Sequence, residues 1–181
     1  MASQQVQLAY PAPGPVSAAV NTQQVFPAYN VATAPSVLVL PGSNRYNSKR
    51  FSLRMAMNYT AAGAYTVIAK LLGALAVPGT PMTYSNWTTL YTSATFTFGG
   101  AGSQHLAVDF DLYCDNVSGV LDGCTKSNVN GGTFTAAAAL ANPLTGVSMN
   151  AEPAAVFAAS VAFGTANAGN IAYLSEFSLL F

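Results

Sequence analysis

Apolar and polar residues alternate along much of this chain. In FSLRMAMN, residues Phe51, Leu53, Met55 and Met57 fall on one side, and Ser52, Arg54, Ala56 and Asn58 on the other. A period of two is the pattern of a half-buried β-strand. It recurs in ATFTFGG, with Phe96 and Phe98 against Thr95 and Thr97. In LAVDFDLYC, Leu106, Val108, Phe110, Leu112 and Cys114 share one face, while Ala107, Asp109, Asp111 and Tyr113 share the other. VLVLPG, AYTVIAKLLG, GTFTAAAAL, AAVFAASVAFG and IAYLSEFSLLF add further strand candidates. Turn dipeptides separate them, among them Pro41-Gly42, Pro78-Gly79, Gly99-Gly100, Ser118-Gly119, Gly131-Gly132 and Asn142-Pro143. The Ala-rich runs read as strands, because Gly, Thr, Val and Phe flank them and no helix caps are evident. This spacing predicts an all-β chain, an antiparallel β-sandwich or jelly roll of about eight strands.

Residues 1–35 break the pattern. They hold Pro11, Pro13, Pro15, Pro27 and Pro35 and no charged residue. Proline fixes φ and removes an amide donor, so the segment favours extended backbone over helix. It reads as an extended N-terminal arm preceding a sandwich body over 36–181. Dotted with Val25, Phe26 and Tyr29, such an arm suits lying along a neighbour; the plainer reading is a loose tail. The body is expected to fold without it.

Composition changes the picture more than length does. Of 181 residues, 51% are hydrophobic and only 7% are charged, against roughly 25% charged in average globular domains. A free soluble monomer keeps more charge on its surface. Much of this surface is therefore expected to be membrane-bound or covered by other subunits. The best candidate span, Thr60 to Gly79, carries Lys70 at its centre together with Gly63, Gly73 and Pro78, which argues against insertion. MASQQVQLAY has no basic region followed by an apolar run, so no secretory signal is expected. The Asn-x-Ser/Thr triplets at Asn58, Asn86 and Asn116 then carry little weight. Charge is also split. Arg45, Lys49, Arg50, Arg54 and Lys70 precede every acid, and from Asp109 onward six acids accompany Lys126 alone. The halves thus carry +5 and −5, which suggests complementary surfaces within one subunit or between copies.

Little in the chain points to catalysis. One histidine, His105, excludes a histidine metal cluster. Placed at the start of a strand, it reads as a surface group or a satisfied polar contact rather than a general base. No phosphate-binding loop, nucleophile elbow or dinucleotide fingerprint is present. Asp109, Asp111, Asp115 and Asp122 lack calcium-loop spacing and read as a solvated or partner-facing acidic face. Cys114 and Cys124 are not spaced as a redox motif, so reduced thiols are the default. NRYNSKRFSLR is the one basic segment, and at net charge zero a contact to an acidic protein patch is expected there, not nucleic acid. No enzyme activity, cofactor or metal is expected. Trp87 and Tyr84 are the candidates for a sugar-binding patch.

The run FSLRMAMNYTAAGAYTVIAKLLGA, followed by LAVDFDLYCDNVSGVLDG, NVNGGTFTAAAALA and a closing LSEFSLLF, resembles a type of tailed-bacteriophage virion structural protein. The resemblance covers roughly Arg50 to Phe181 and rests on sheet pattern and turn glycines. It implies a capsid decoration or cement protein with a jelly-roll-like body, or else a tail or fibre component that binds a host receptor or glycan. It further implies location in the virion, assembly in the host cytoplasm, the major capsid protein or other virion subunits as partners, and a homo-oligomer, expected as a trimer. No catalytic residue is carried over. The residues expected to make contacts are Val25, Phe26, Tyr29, Arg45, Lys49, Arg50, Arg54, Asp109 and Asp111, with no nucleic acid or membrane as partner. The low charge and the uncharged arm depart from that family pattern.

Overall fold

The computed structural model describes residues 6–8, 13–17, 23–28, 31–40, 50–63, 66–75, 87–97, 100–114, 121–129, 138–139 and 155–180. Short strands come first: β1 (Val6–Leu8), β2 (Val16–Ser17), β3 (Gln24–Val25), β4 (Pro27–Ala28), β5 (Val31–Pro35) and β6 (Leu38–Leu40). The body follows with β7 (Arg50–Ala61), β8 (Thr66–Leu75), β9 (Thr88–Thr92), β10 (Phe96–Thr97), β11 (Gly102–Cys114), β12 (Leu121–Val129), β13 (Ala138–Ala139), β14 (Ala155–Phe163) and β15 (Ile171–Leu180). The chain is an all-β antiparallel sandwich, as its alternation predicts. One sheet of seven strands runs β1-β15-β7-β11-β12-β13, with β2 also on β15. A second of six runs β10-β8-β14-β3, with β9 on β8 and β6 on β14. Short strands, many of them in the first forty residues, raise the number of segments above the eight expected.

The alternating residues do what their period requires. Leu53, Met55, Met57 and Tyr59 of β7 turn inward beside Leu106, Val108, Phe110 and Leu112 of β11. They meet Val67, Ala69 and Leu71 of β8, and Phe157, Ala159, Val161 and Phe163 of β14, in one continuous core. Tyr91 stands edge-on to Phe110 at 5.4 Å between ring centroids, and Tyr59 edge-on to Phe163 at 6.5 Å, the offset geometry aromatic pairs prefer. Strand β14 is buried on both faces, which explains its continuous apolar run: its outward Val156 and Ala158 join Val37 and Leu72 in a second cluster on the outer side of the second sheet. The segment weighed above as a membrane span contributes β8, and no helix among the described residues is long and apolar enough to cross a bilayer.

The edge of the second sheet is broken at a defined point. β9 pairs with the Lys70–Gly73 part of β8 and β10 with Thr66 and Val67. Between them the Ser93 hydroxyl accepts the Ala69 amide at 2.9 Å and donates to the Ala94 carbonyl at 2.8 Å. A side chain thus takes the place of a ladder carbonyl.

Two of the places where the chain changes sheet, from β7 to β8 and from β14 to β15, are neighbouring corners, and hydrogen bonds tie them together. The Gly164 amide donates to the Thr66 carbonyl at 2.8 Å, and the Ala62 amide to Asn170 Oδ1 at 3.2 Å. The close approach explains both corner glycines. A Cβ on Gly169 would stand 2.8 Å from that of Ala62, and one on Gly164 would run into the Thr66 hydroxyl.

The segment read as an arm is extended, but it lies on this chain's own sheets. β1 and β2 pair with β15, and β3 pairs with β14. Val16 and Phe26 belong to the main core. The Phe26 amide donates to the Ala159 carbonyl at 3.0 Å and its carbonyl accepts from Ser36 at 2.9 Å. Over these residues the arm and the body pack as one folded unit.

A charge-banded face on the seven-stranded sheet

The outward side of the seven-stranded sheet carries most of the described charge. Antiparallel register sets Asp109 opposite Arg54 on one side and Lys126 on the other. Cross-strand partners share a face, so these three side chains form a band across β7, β11 and β12. Glu176 of β15 extends it. An irregularity between Leu174 and Glu176 shifts the register there, and the Glu176 carboxylate reaches Arg54 Nε at 3.1 Å. Arg54 also pairs with Asp109 at 3.4 Å, and the Ser178 hydroxyl donates to Glu176 Oε1 at 3.1 Å. Across the sheet the signs run minus, plus, minus, plus, from Glu176 through Arg54 and Asp109 to Lys126.

These groups remain largely in water: the Arg54 and Asp109 side chains are 45% and 41% exposed. Such pairs contribute little stability each, typically under about 1 kcal/mol. Their significance is positional. The positive first half and the negative second half of the sequence meet here within one subunit. A shallow open trough of about 550 Å³ runs beside the band, lined among others by Ser52, Asp111, Cys124 and Leu180.

The remaining site candidates are placed as follows. Asp111 is exposed, opposite Ser52 and Cys124. Arg50 opens β7 opposite Tyr113. Val25 is half-buried on β3, and Phe26 is wholly buried within this chain. Tyr29, Arg45 and Lys49 lie outside the described residues, as do Tyr84 and Asp115. His105 points outward from β11, its Nδ1 at 2.8 Å from Asn58 Oδ1, a satisfied polar contact at a sheet surface. Cys124 is a free thiol. Cys114 pairs with Leu121 and Cys124 with Asp111, so the two cysteines sit three ladder positions apart and on opposite faces. Among the described residues no group of three or more His, Cys, Asp and Glu side chains gathers as a metal site would require.

Glu176 and Lys126 are the members of the band that sequence reasoning did not select. Their signal was weak, a lone acid and a lone base on alternating strands. It becomes readable only once β15, β7, β11 and β12 are known to be neighbours.

The second sheet offers a different surface. Val25, Val39 and Trp87, each half-buried, pack around the cluster of Val37, Leu72, Val156 and Ala158. Trp87 is thus engaged against aliphatic side chains. Lys70 is the one charged residue of this sheet among the described side chains. Fold and surfaces together define a class: an all-β sandwich with one charge-banded outer face and one apolar outer face. Comparison with protein-family models and with curated proteins finds no match to the chain.

Proposed function

We propose that this protein is a non-enzymatic structural subunit of a virion, a capsid decoration protein that stabilises a shell through many copies and many modest contacts. The observation that carries the reading is the outer side of the second sheet. There Val25, Val39 and Trp87 stay partly accessible around the rim of a buried apolar cluster, with Lys70 the sole described charge. Apolar surface of this kind marks an interaction site when it is contiguous, and a chain with 7% charged residues has little else to keep it apart from its neighbours. Multivalency lets weak contacts of this sort hold a lattice. The partners are then the major capsid protein and further copies of this chain. A tail or fibre position is the alternative within the same class.

The test is to purify intact particles from producing cells and locate the full chain on them by antibody labelling and imaging. The reading expects regular labelling over the shell, lost when Val39→Asp places a charge beside the apolar cluster. Labelling confined to the tail would move the protein to the alternative position. Absence from particles would overturn the virion role.

A further inference from the structure

We infer that the outer face of the seven-stranded sheet binds the same face of a second copy of this chain, about a two-fold axis parallel to β7 and β11. The inference goes beyond the proposed virion role and does not rest on it.

The order of charge carries the argument. Glu176, Arg54, Asp109 and Lys126 alternate in sign across β15, β7, β11 and β12. A half-turn about an axis running between β7 and β11 reverses that order and lays it over the original. Each acid then faces a base. Arg54 meets Asp109 of the second copy, and symmetry makes every contact twice. Glu176 stands two ladder positions along β15, opposite Ala56, and approaches the long Lys126 side chain of the second copy diagonally, as it already approaches Arg54 within one chain. A two-fold axis across the strands would instead set like charge over like.

The rows on either side obey the same rotation. Ser52 would face Asp111, Asn58 would face His105, and Thr60 would face Ser103. The last two pairs already show their compatibility inside one chain, at 2.8 Å for Asn58 with His105 and 3.3 Å for Thr60 with Ser103. Ala56 and Ala107, paired in the ladder between the charged band and the Asn58–His105 row, are almost fully buried within the chain, so the contact falls on the longer side chains of the rows around them. The trough of about 550 Å³ leaves room for the long Arg54 and Lys126 side chains of the other copy.

Size and solvent fix the character of the contact. At ~3.3 Å per residue and ~4.8 Å between strands, the face from Ser52 to Thr60 over four strands measures about 27 by 15 Å. That is about 400 Å² on each copy, or roughly 800 Å² in all, smaller than a stable specific interface and in the range of transient contacts. The strands of the two copies lie nearly aligned, as in sheet-on-sheet packing. The pair is therefore weak, and because its charges are exposed, salt weakens it further.

Two single variants decide the matter. Glu176→Lys and Lys126→Glu each set like charges against each other at two symmetric places. Each alone is expected to associate at least about tenfold more weakly than the parent chain. Mixed in equal amounts, they restore both contacts. The new lysine of one variant faces the new glutamate of the other, while the unaltered Lys126 and Glu176 face each other. Sedimentation with one variant fluorescently labelled should show a mixed dimer at low salt that is lost at high salt, and its formation shows that both variants are folded. A parent chain that stays monomeric throughout a concentration series, single variants that associate as the parent does, or a mixture no tighter than its components would each overturn the inference.

Discussion

Asn170 holds the two corners of the sandwich together. Its Oδ1 accepts the Ala62 amide at 3.2 Å, where β7 leaves for the second sheet. Its Nδ2 donates to the Thr165 carbonyl at 3.2 Å within the return corner, and its own amide donates to the Asn167 carbonyl at 2.9 Å. The side chain is fully buried, while its partners Ala62 and Thr165 lie at the surface. Asn170→Ala removes both side-chain bonds, which costs about 0.5–1.5 kcal/mol per lost bond. Asn170→Asp keeps the acceptor but loses the donor and buries a charge, and is expected to be at least as damaging. Urea unfolding followed by circular dichroism measures both. A loss below about 0.5 kcal/mol for Asn170→Ala would show that the corners are held by other means.

Much of the sandwich was legible in the sequence because alternation is a local property. Phe51 to Asn58 and Leu106 to Tyr113 declare which side each residue faces, and the structure turns the described ones as their period requires. Pairing order is not local. Arg54 and Glu176 lie far apart in the chain, and nothing near either one announces that β15 lies beside β7. Strand β14 was harder for another reason: buried on both faces, it shows no period at all, and only its flanking residues argued for a strand. The first 35 residues misled in one respect. Val16 stands singly among small residues, and Val25 and Phe26 form an isolated pair between glutamines and a proline, so no repeating pattern marks Val16 or Phe26 as core.

Phe26 tests how far that early segment belongs to the fold. Its ring is fully buried among residues of both sheets, whereas Leu8 on β1 is 67% exposed at the sheet edge. Truncating a large buried side chain removes its transfer energy and leaves a cavity, typically about 3–5 kcal/mol for phenylalanine. Phe26→Ala should therefore lower the unfolding midpoint sharply. Leu8→Ala should stay within about 0.5 kcal/mol of the parent. Guanidinium titrations of the two variants make the comparison. Equal and small effects would mean that the segment is a dispensable tail, as a proline-rich reading of residues 1–35 would have it.

Tyr59 makes the stability of the sandwich fall at high pH. Its hydroxyl is enclosed by the core and donates to Met57 Sδ at 3.2 Å. Burial pushes its pKa well above the usual tyrosine range, and the nearby Tyr91 adds to the shift in the same direction. The folded chain therefore keeps this proton at a pH where the unfolded chain, with an ordinary tyrosine pKa of ~10, has released it. The unfolded state binds fewer protons above that point, so stability declines as pH rises. Below pH ~10 the contribution is fully present. Above it the loss accumulates at about 1.4 kcal/mol per pH unit until the native pKa is reached. Tyr59→Phe removes the titrating group and keeps the ring against Phe96 and Phe163. The variant should match the parent closely at pH 8, apart from the weak bond to sulfur, and should lose less stability than the parent between pH 10 and 11. Denaturant midpoints across that range give the answer. Parallel slopes for the two proteins would mean that Tyr59 ionises as readily in the folded chain as in the unfolded one.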